Sequence, residues 1–271
     1  MATSPIDLAR RIRLRSLEMI HRVGSAHAGS SLSMADLLAV LYSGVLRVDP
    51  AQPDQSNRDR FLLSKGHACA ALYAVLAERG FFPLEWLDRY YLDGSPLAGH
   101  ATHKGVPGVE ASTGSLGHGV PLGVGMALAG RRAGAPYRVF VLVSDGECDE
   151  GTVWESALFA AHHGLDNLVL IIDYNKIQSL GRVEDVLRLE PFAAKWRAFG
   201  WTALEIDGHD IPAIEQALTQ LPTKPGRPSV IVAHTVKGKG VSFMEDSLLW
   251  HYRSPDVGEL ARARAELEAD P

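Results

Sequence analysis

From Tyr137 onward the chain alternates short apolar runs with helical segments, and few architectures accept that pattern. Val139 to Val143 and Leu168 to Ile172 hold no polar residue, as expected of strands buried on both faces. Two further strands are expected near Thr202 to Ile206 and Ser229 to Ala233. Helices are expected over Thr152 to His163, Phe192 to Phe199 and Ile211 to Leu221. Strand–helix alternation of this kind demands an α/β fold, a parallel sheet flanked by helices on both faces.

The N-terminal part reads as helical. Ser4 before Pro5, with Asp7 in the first turn, is a helix start, and Gly24 is a natural stop. Ser33 is expected to cap a second helix, Met34 to Leu46, and a third is expected from Ala68 to Arg79 before Gly80. Gly94 to Gly119, rich in Gly, His, Ser and Thr, reads as a long loop of the functional kind, and Val120 to Ala129 as a helix after it. With no repeat, linker or low-complexity segment, residues 1–271 are expected to form a single domain.

Charge and cysteine content exclude several classes. Lys and Arg number 27 against 32 Asp and Glu, so a general nucleic-acid binder is not expected. Two cysteines, Cys69 and Cys148, make no disulfide framework and fit a reducing compartment. No apolar run approaches the ~18 residues of a membrane span. The arginine-rich start lacks the apolar stretch of a secretory signal, so a cytoplasmic protein without membrane attachment is expected.

In open α/β sheets, ligands bind beyond the carboxyl ends of the strands. Ser144-Asp145-Gly146-Glu147 follows the first apolar strand, and Asp173-Tyr174-Asn175-Lys176 follows the next. If these strands are neighbours, Asp145 and Asn175 converge as hard oxygen donors suited to Mg²⁺ or Ca²⁺. Gly146 would let backbone approach a phosphate. Taken alone, the pair reads equally well as turn chemistry. Thr113-Gly-Ser-Leu-Gly-His-Gly119 before a helix has the character of an anion or cofactor cradle, or of a plain turn; it is neither a Walker loop nor GxGxxG. His27, His67, His100, His103 and His251 sit in unusual polar contexts, whereas His162, His163 and His209 read as structural. Without HExxH or paired CxxC motifs, zinc is a poor fit.

Six segments together resemble the N-terminal half of transketolases, thiamine-diphosphate enzymes that move two-carbon ketol units. They are Ser25-Ala-His-Ala-Gly-Ser30, Asp59-Arg-Phe-Leu-Leu-Ser-Lys-Gly-His67, Gly99-His100, Gly108 to Gly119, Ser144 to Glu147 with Asn175, and Lys237-Gly-Lys-Gly240 with His251. The Asp-Gly…Asn element is general to thiamine-diphosphate enzymes, while the Ser-Lys-Gly-His and Gly-Ser-Leu-Gly-His-Gly segments are specific to transketolases. The resemblance implies the thiamine-diphosphate-binding fold and a metal held by Asp145, Asn175 and the Ile177 carbonyl. It further implies that Ser30, His67, Gly146, Lys237 and His251 meet the diphosphate or its surroundings, and that Gly114, Ser115 and Leu116 line the aminopyrimidine. His27, His100 and His251 would face the sugar, and Glu150 would join a carboxylate network across a subunit interface.

Transketolases of this type are more than twice as long, and their second half carries the glutamate that activates the pyrimidine ring. The resemblance therefore implies a split enzyme, with a C-terminal, pyrimidine-binding subunit completing the site in an α2β2 heterotetramer. Its substrates would be sugars or sugar phosphates, as in the pentose phosphate interconversions. Two departures stand out: Ser144 where the family usually has Gly, expected to tighten the diphosphate turn, and Tyr252 where Gly usually follows the last histidine, expected to narrow the substrate entrance. The alternatives are the α subunit of a 2-oxo acid dehydrogenase, disfavoured by His27 and the Ser-Lys-Gly-His67 segment, and a non-catalytic regulatory subunit, disfavoured by retention of the metal and histidine positions.

Overall fold

A computed structural model describes residues 3–269. Its centre is a five-stranded sheet, all parallel, in the order β1-β2-β3-β5-β4. The strands are β1 Arg60–Leu63, β2 Val139–Ser144, β3 Leu168–Tyr174, β4 Thr202–Asp207 and β5 Ser229–His234. Strand alternation splits their side chains between two cores. Phe140, Leu142, Val169, Ile171 and Ile231 point to one face, and Val141, Val143, Leu170, Ile172 and Val232 to the other. Helices α1 Pro5–Val23, α4 Cys69–Glu78, α9 Ile211–Thr219 and α10 Val257–Ala269 cover the first face. Helices α5 Gly119–Arg132, α6 Gly151–His162 and α8 Phe192–Ala198 cover the second. The layering follows from handedness. The chain steps one way across the sheet through β2, β3 and β4, then back to insert β5, so the right-handed crossover through α9 lands on the opposite face from α6 and α8.

The start of α1 is as the sequence suggests: the Ser4 hydroxyl accepts from the Asp7 amide at 3.1 Å, and Gly24 closes the helix at φ 64°. The second helix is a correction. It begins earlier, as α2 Ala28–Ser33, breaks at Met34, and resumes as α3 Ala35–Val40 before a wider turn, Leu41–Val45. Ser33 caps nothing, because its hydroxyl is engaged by Asp173 and the Ser30 carbonyl. Strand β1 and helix α10 are the elements not anticipated, and a single turn, α7 Val183–Val186, follows the loop after β3. No helix among the described residues is long and apolar enough to cross a membrane.

Candidate functional site

The carboxyl ends of β1, β2, β3 and β5 open on one crevice, and each delivers polar residues to it. Strands β2 and β3 are adjacent, with Ser144 opposite Asp173, so Asp145 and Asn175 reach the same place. Asp145 is 1% exposed; its carboxylate accepts from the Gly146 amide and from the Lys176 amide, both at 2.7 Å. The second bond requires Lys176 to turn back at φ 68°. Asn175 Oδ1 accepts from the Ile177 amide at 3.1 Å, and the Ile177 carbonyl accepts from Lys237 Nζ at 2.8 Å. Lys237 Nζ also faces His251 Nδ1 at 3.0 Å.

Beneath this layer lies a buried ion pair with no counterpart in the sequence-level assignments. Lys65 and Asp173 are both fully buried and bonded to each other; Lys65 Nζ also donates to the Ser30 carbonyl at 2.9 Å. Asp173 takes further bonds from the hydroxyls of Ser33 and Thr235. Burial alone would push Asp173 up, but the Lys65 ammonium and these hydroxyls hold it below the usual carboxylate range. Asp145 has no such close cation. Burial, with the charge of Asp173 behind it, pushes Asp145 up to about 6. Burial likewise pulls Lys237 down to about 8, partly offset by Asp145.

Three imidazoles stand over Lys237. The His27 ring lies 4.8 Å from that of His67 and 5.0 Å from that of His251, centroid to centroid, and His67 and His251 are 5.9 Å apart. Burial is the main cause of their low basicity: His27 falls to about 4 and His251 to about 3, while His67 also falls well below its ordinary value. All three are neutral at pH 7, each able to donate from one nitrogen and accept at the other. His27 holds a left-handed conformation, φ 75°, and its amide is tied to the His251 carbonyl at 3.0 Å. His100, more exposed, adds to the depression of His27 and lies under Gly114, where a Cβ would approach its ring to 3.1 Å.

The loop between Gly94 and Gly119 is irregular, as expected, and held from beneath. Thr113 Oγ1 donates to the Leu63 carbonyl at 2.7 Å, and the Ala101 amide to the Gly66 carbonyl at 3.0 Å. Glu147, fully buried, accepts from the Gly117 amide at 3.0 Å, the Ser144 amide at 2.8 Å and the Ser64 hydroxyl. A Cβ on Gly119 would lie 2.5 Å from Ser64 Cβ, which explains why the loop must end in glycine there. Gly114, Ser115 and Leu116 are exposed along the outer edge, and Glu150 is exposed at the start of α6. Ser144 contributes its hydroxyl to Glu147 at 3.4 Å, within the turn after β2. Tyr252 packs edge-on against His251 and donates to the Ser179 carbonyl at 2.6 Å.

His209 is held by structure: its Nδ1 meets Asp36 at 2.6 Å and its Nε2 accepts the Val236 amide at 2.8 Å. His103 pairs with Ser112, and His162 and His163 lie at the end of α6, just before β3 begins, at the opposite end of the sheet from the crevice. Among the described residues no group of three or more His, Cys, Asp or Glu could hold a metal. A divalent ion would thus rest on the mixed set Asp145, Asn175 Oδ1 and the Ile177 carbonyl. That set fits: all three donors are hard oxygens, and a cation would relieve the buried, ionised Asp145. An anion fits too, since Lys237, His67 and His251 converge with no carboxylate bonded to them.

The chain matches the family described as "Transketolase, thiamine diphosphate binding domain" over residues 5–271. It is 42% identical over 273 residues to the 6-deoxy-6-sulfo-D-fructose transketolase subunit SqwG of Clostridium sp. (strain MSTE9), covering 100% of this chain and 99% of that one. It is 40% identical over 255 residues to an apulose-4-phosphate transketolase subunit of Phocaeicola vulgatus, covering 94% and 90% respectively. The solved transketolase of Leishmania mexicana superposes with a TM-score of 0.92 at 30% identity, over 99% of this chain and 42% of its own. A strand-tip crevice of this make-up, matched along nearly the whole sequence, places the chain in the transketolase family, as its thiamine diphosphate-binding domain.

Proposed function

We propose that this single domain, residues 1–271, is the N-terminal subunit of a split transketolase. It would transfer a two-carbon ketol unit reversibly from a ketose or ketose phosphate to an aldose, as in the pentose phosphate interconversions. The observation that carries the reading is the convergence of Asp145, Asn175, the Ile177 carbonyl, Lys237 and three neutral imidazoles at neighbouring strand tips. Relatives of matching length are named as transketolase subunits, which supports a partner subunit carrying the pyrimidine-binding half. An α2β2 heterotetramer in the cytoplasm is the assembly this implies.

In this reading Asp145, Asn175 and Ile177 hold Mg²⁺ or Ca²⁺, and Ser30, His67, Gly146, Lys237 and His251 surround the diphosphate. Gly114, Ser115 and Leu116 border the aminopyrimidine, and Glu150 meets the partner. The bound thiazolium ring supplies the electron sink for cleavage beside a carbonyl. The protein's part is positioning and proton transfer. His27, His100 and His251 face the sugar; a neutral imidazole takes the hydroxyl proton during cleavage and returns it during condensation. Burial strengthens these contacts by excluding water.

The test uses the chain with its partner subunit. Calorimetry with thiamine diphosphate and Mg²⁺ should show binding that Asp145→Ala abolishes or weakens by at least about tenfold. Ketol transfer should follow across a panel of ketose donors. Binding indifferent to Asp145→Ala, or no transfer from any donor, would refute the reading.

A further inference from the structure

Two parallel ties join the loop after β3 to the turn Leu248–His251. The inner tie is buried: the Ile177 carbonyl, Lys237 Nζ and His251 Nδ1 in series, at 2.8 and 3.0 Å. The outer tie is exposed: the Tyr252 hydroxyl on the Ser179 carbonyl at 2.6 Å. Between them the loop is a small closed unit, with Ile177 bridged to Arg182 and the Gln178 amide bonded to the Gly181 carbonyl at 2.8 Å. Its tip is weakly packed, Leu180 being 80% exposed. Every group of the inner tie is one that the proposed function assigns to the metal or the diphosphate. Ligand binding would therefore compete for Ile177, Lys237 and His251 and weaken that tie. The outer bond uses no such group and survives, joined at the loop's stem by the exposed Arg182–Asp246 ion pair at 2.7 Å, which salt screens.

We propose that Tyr252 is a strap: its bond to Ser179 holds the loop 175–182 against the histidine turn, and it must open for the diphosphate end of the cofactor to enter or leave. The strap rests on the thiamine-diphosphate reading above. Tyr252 is a positioning residue here and touches no reacting atom. A strap that opens for both entry and exit has a kinetic signature that an ordinary contact lacks. Weakening it raises the association and dissociation rates by the same factor and leaves affinity nearly unchanged.

The experiment measures exchange of radiolabelled thiamine diphosphate, with Mg²⁺, in the complex of this chain with its partner subunit. Tyr252→Phe keeps the ring against His251 and removes only the hydroxyl, so the fold is left in place. Loss of one exposed hydrogen bond should accelerate both rates by about two- to tenfold, with Kd changed by less than about twofold. Rates equal to wild type would overturn the strap alone. So would a faster dissociation with unchanged association, which marks a direct contact, or a changed sugar KM with unaltered exchange, which marks an entrance residue. Failure of the wild-type complex to retain label would overturn the site reading together with the strap.

Discussion

Lys65→Met removes the cation from beneath the site and leaves Asp173 as a carboxylate with no accessible surface. In the native fold Lys65 answers Asp173 and the Ser30 carbonyl, while Ser33 and Thr235 supply only hydroxyl dipoles. Breaking one partner of such a pair costs about 3–5 kcal/mol, because the remaining charge is neither solvated nor compensated. For a chain of this size each kcal/mol moves the melting temperature by about 2–4 °C, so a drop of roughly 6–20 °C is expected. Differential scanning calorimetry of the purified chain reads this directly. The informative comparison is Lys65→Met combined with Asp173→Asn. That pair carries no buried charge; the Asn side chain keeps one acceptor oxygen for one of the two hydroxyls and turns its NH2 to the other, whose oxygen accepts, so most of the loss should be recovered. A single variant melting within about 3 °C of wild type, or a double variant no better than the single, would refute the account of the ion pair.

Gly66→Ala should destabilise the chain by about 1–3 kcal/mol, since a Cβ there would lie 2.4 Å from the Thr113 carbonyl oxygen, a backbone atom that cannot move aside; an unchanged denaturation midpoint would contradict this. His27 and His251 titrate at about 4 and about 3 in the fold but near 6.5 once unfolded. The unfolded chain therefore binds more protons below about pH 6.5, and stability falls as pH drops through that value. Asp145, held at about 6, opposes the trend between about 4 and 6, where the folded chain binds its extra proton, and Glu147 and Asp149, which burial also pushes up, act in the same sense; the three imidazoles and the depressed carboxyls of Asp36, Asp59 and Asp173 act the other way. Melting curves of the ligand-free chain over this range should flatten by about one proton's worth in His27→Asn, whose side chain tolerates the left-handed backbone; an unchanged slope would refute the assignment.

Periodicity made the sheet legible where strands were long and apolar. Strands β2 and β3 were foreseen to within two residues, and their adjacency put Asp145 beside Asn175. Strand β1 escaped because only Phe61, Leu62 and Leu63 are apolar, a run too short to stand out between charged neighbours. Helix α10 escaped because it buries only Ala263 and Leu267. The break at Met34 follows from Ser33 serving Asp173, a partner far along the chain. The same limit hid Lys65, Asp173 and Glu147. Each is a charged side chain that the sequence would place in water, and only the packing of the strand tips shows it buried and paired. Motif likeness brought in the histidines, and the fold places three of them within ring-contact distance.

Asp145 and Glu147 leave the same turn in opposite directions, one towards the loop after β3 and the other towards Gly117. Two carboxylates separated by a single glycine thus anchor both flanks of the crevice, like the fixed jaws of a gauge. At these two anchors neither flank can drift without dragging its fellow, so a new sugar is not accommodated by spreading the strand tips, and only the loop beyond Lys176 is left to open. Relatives that act on different sugars would then vary at the rim, at positions such as His100 and Tyr252 and on the facing protomer, while the gauge itself stays set.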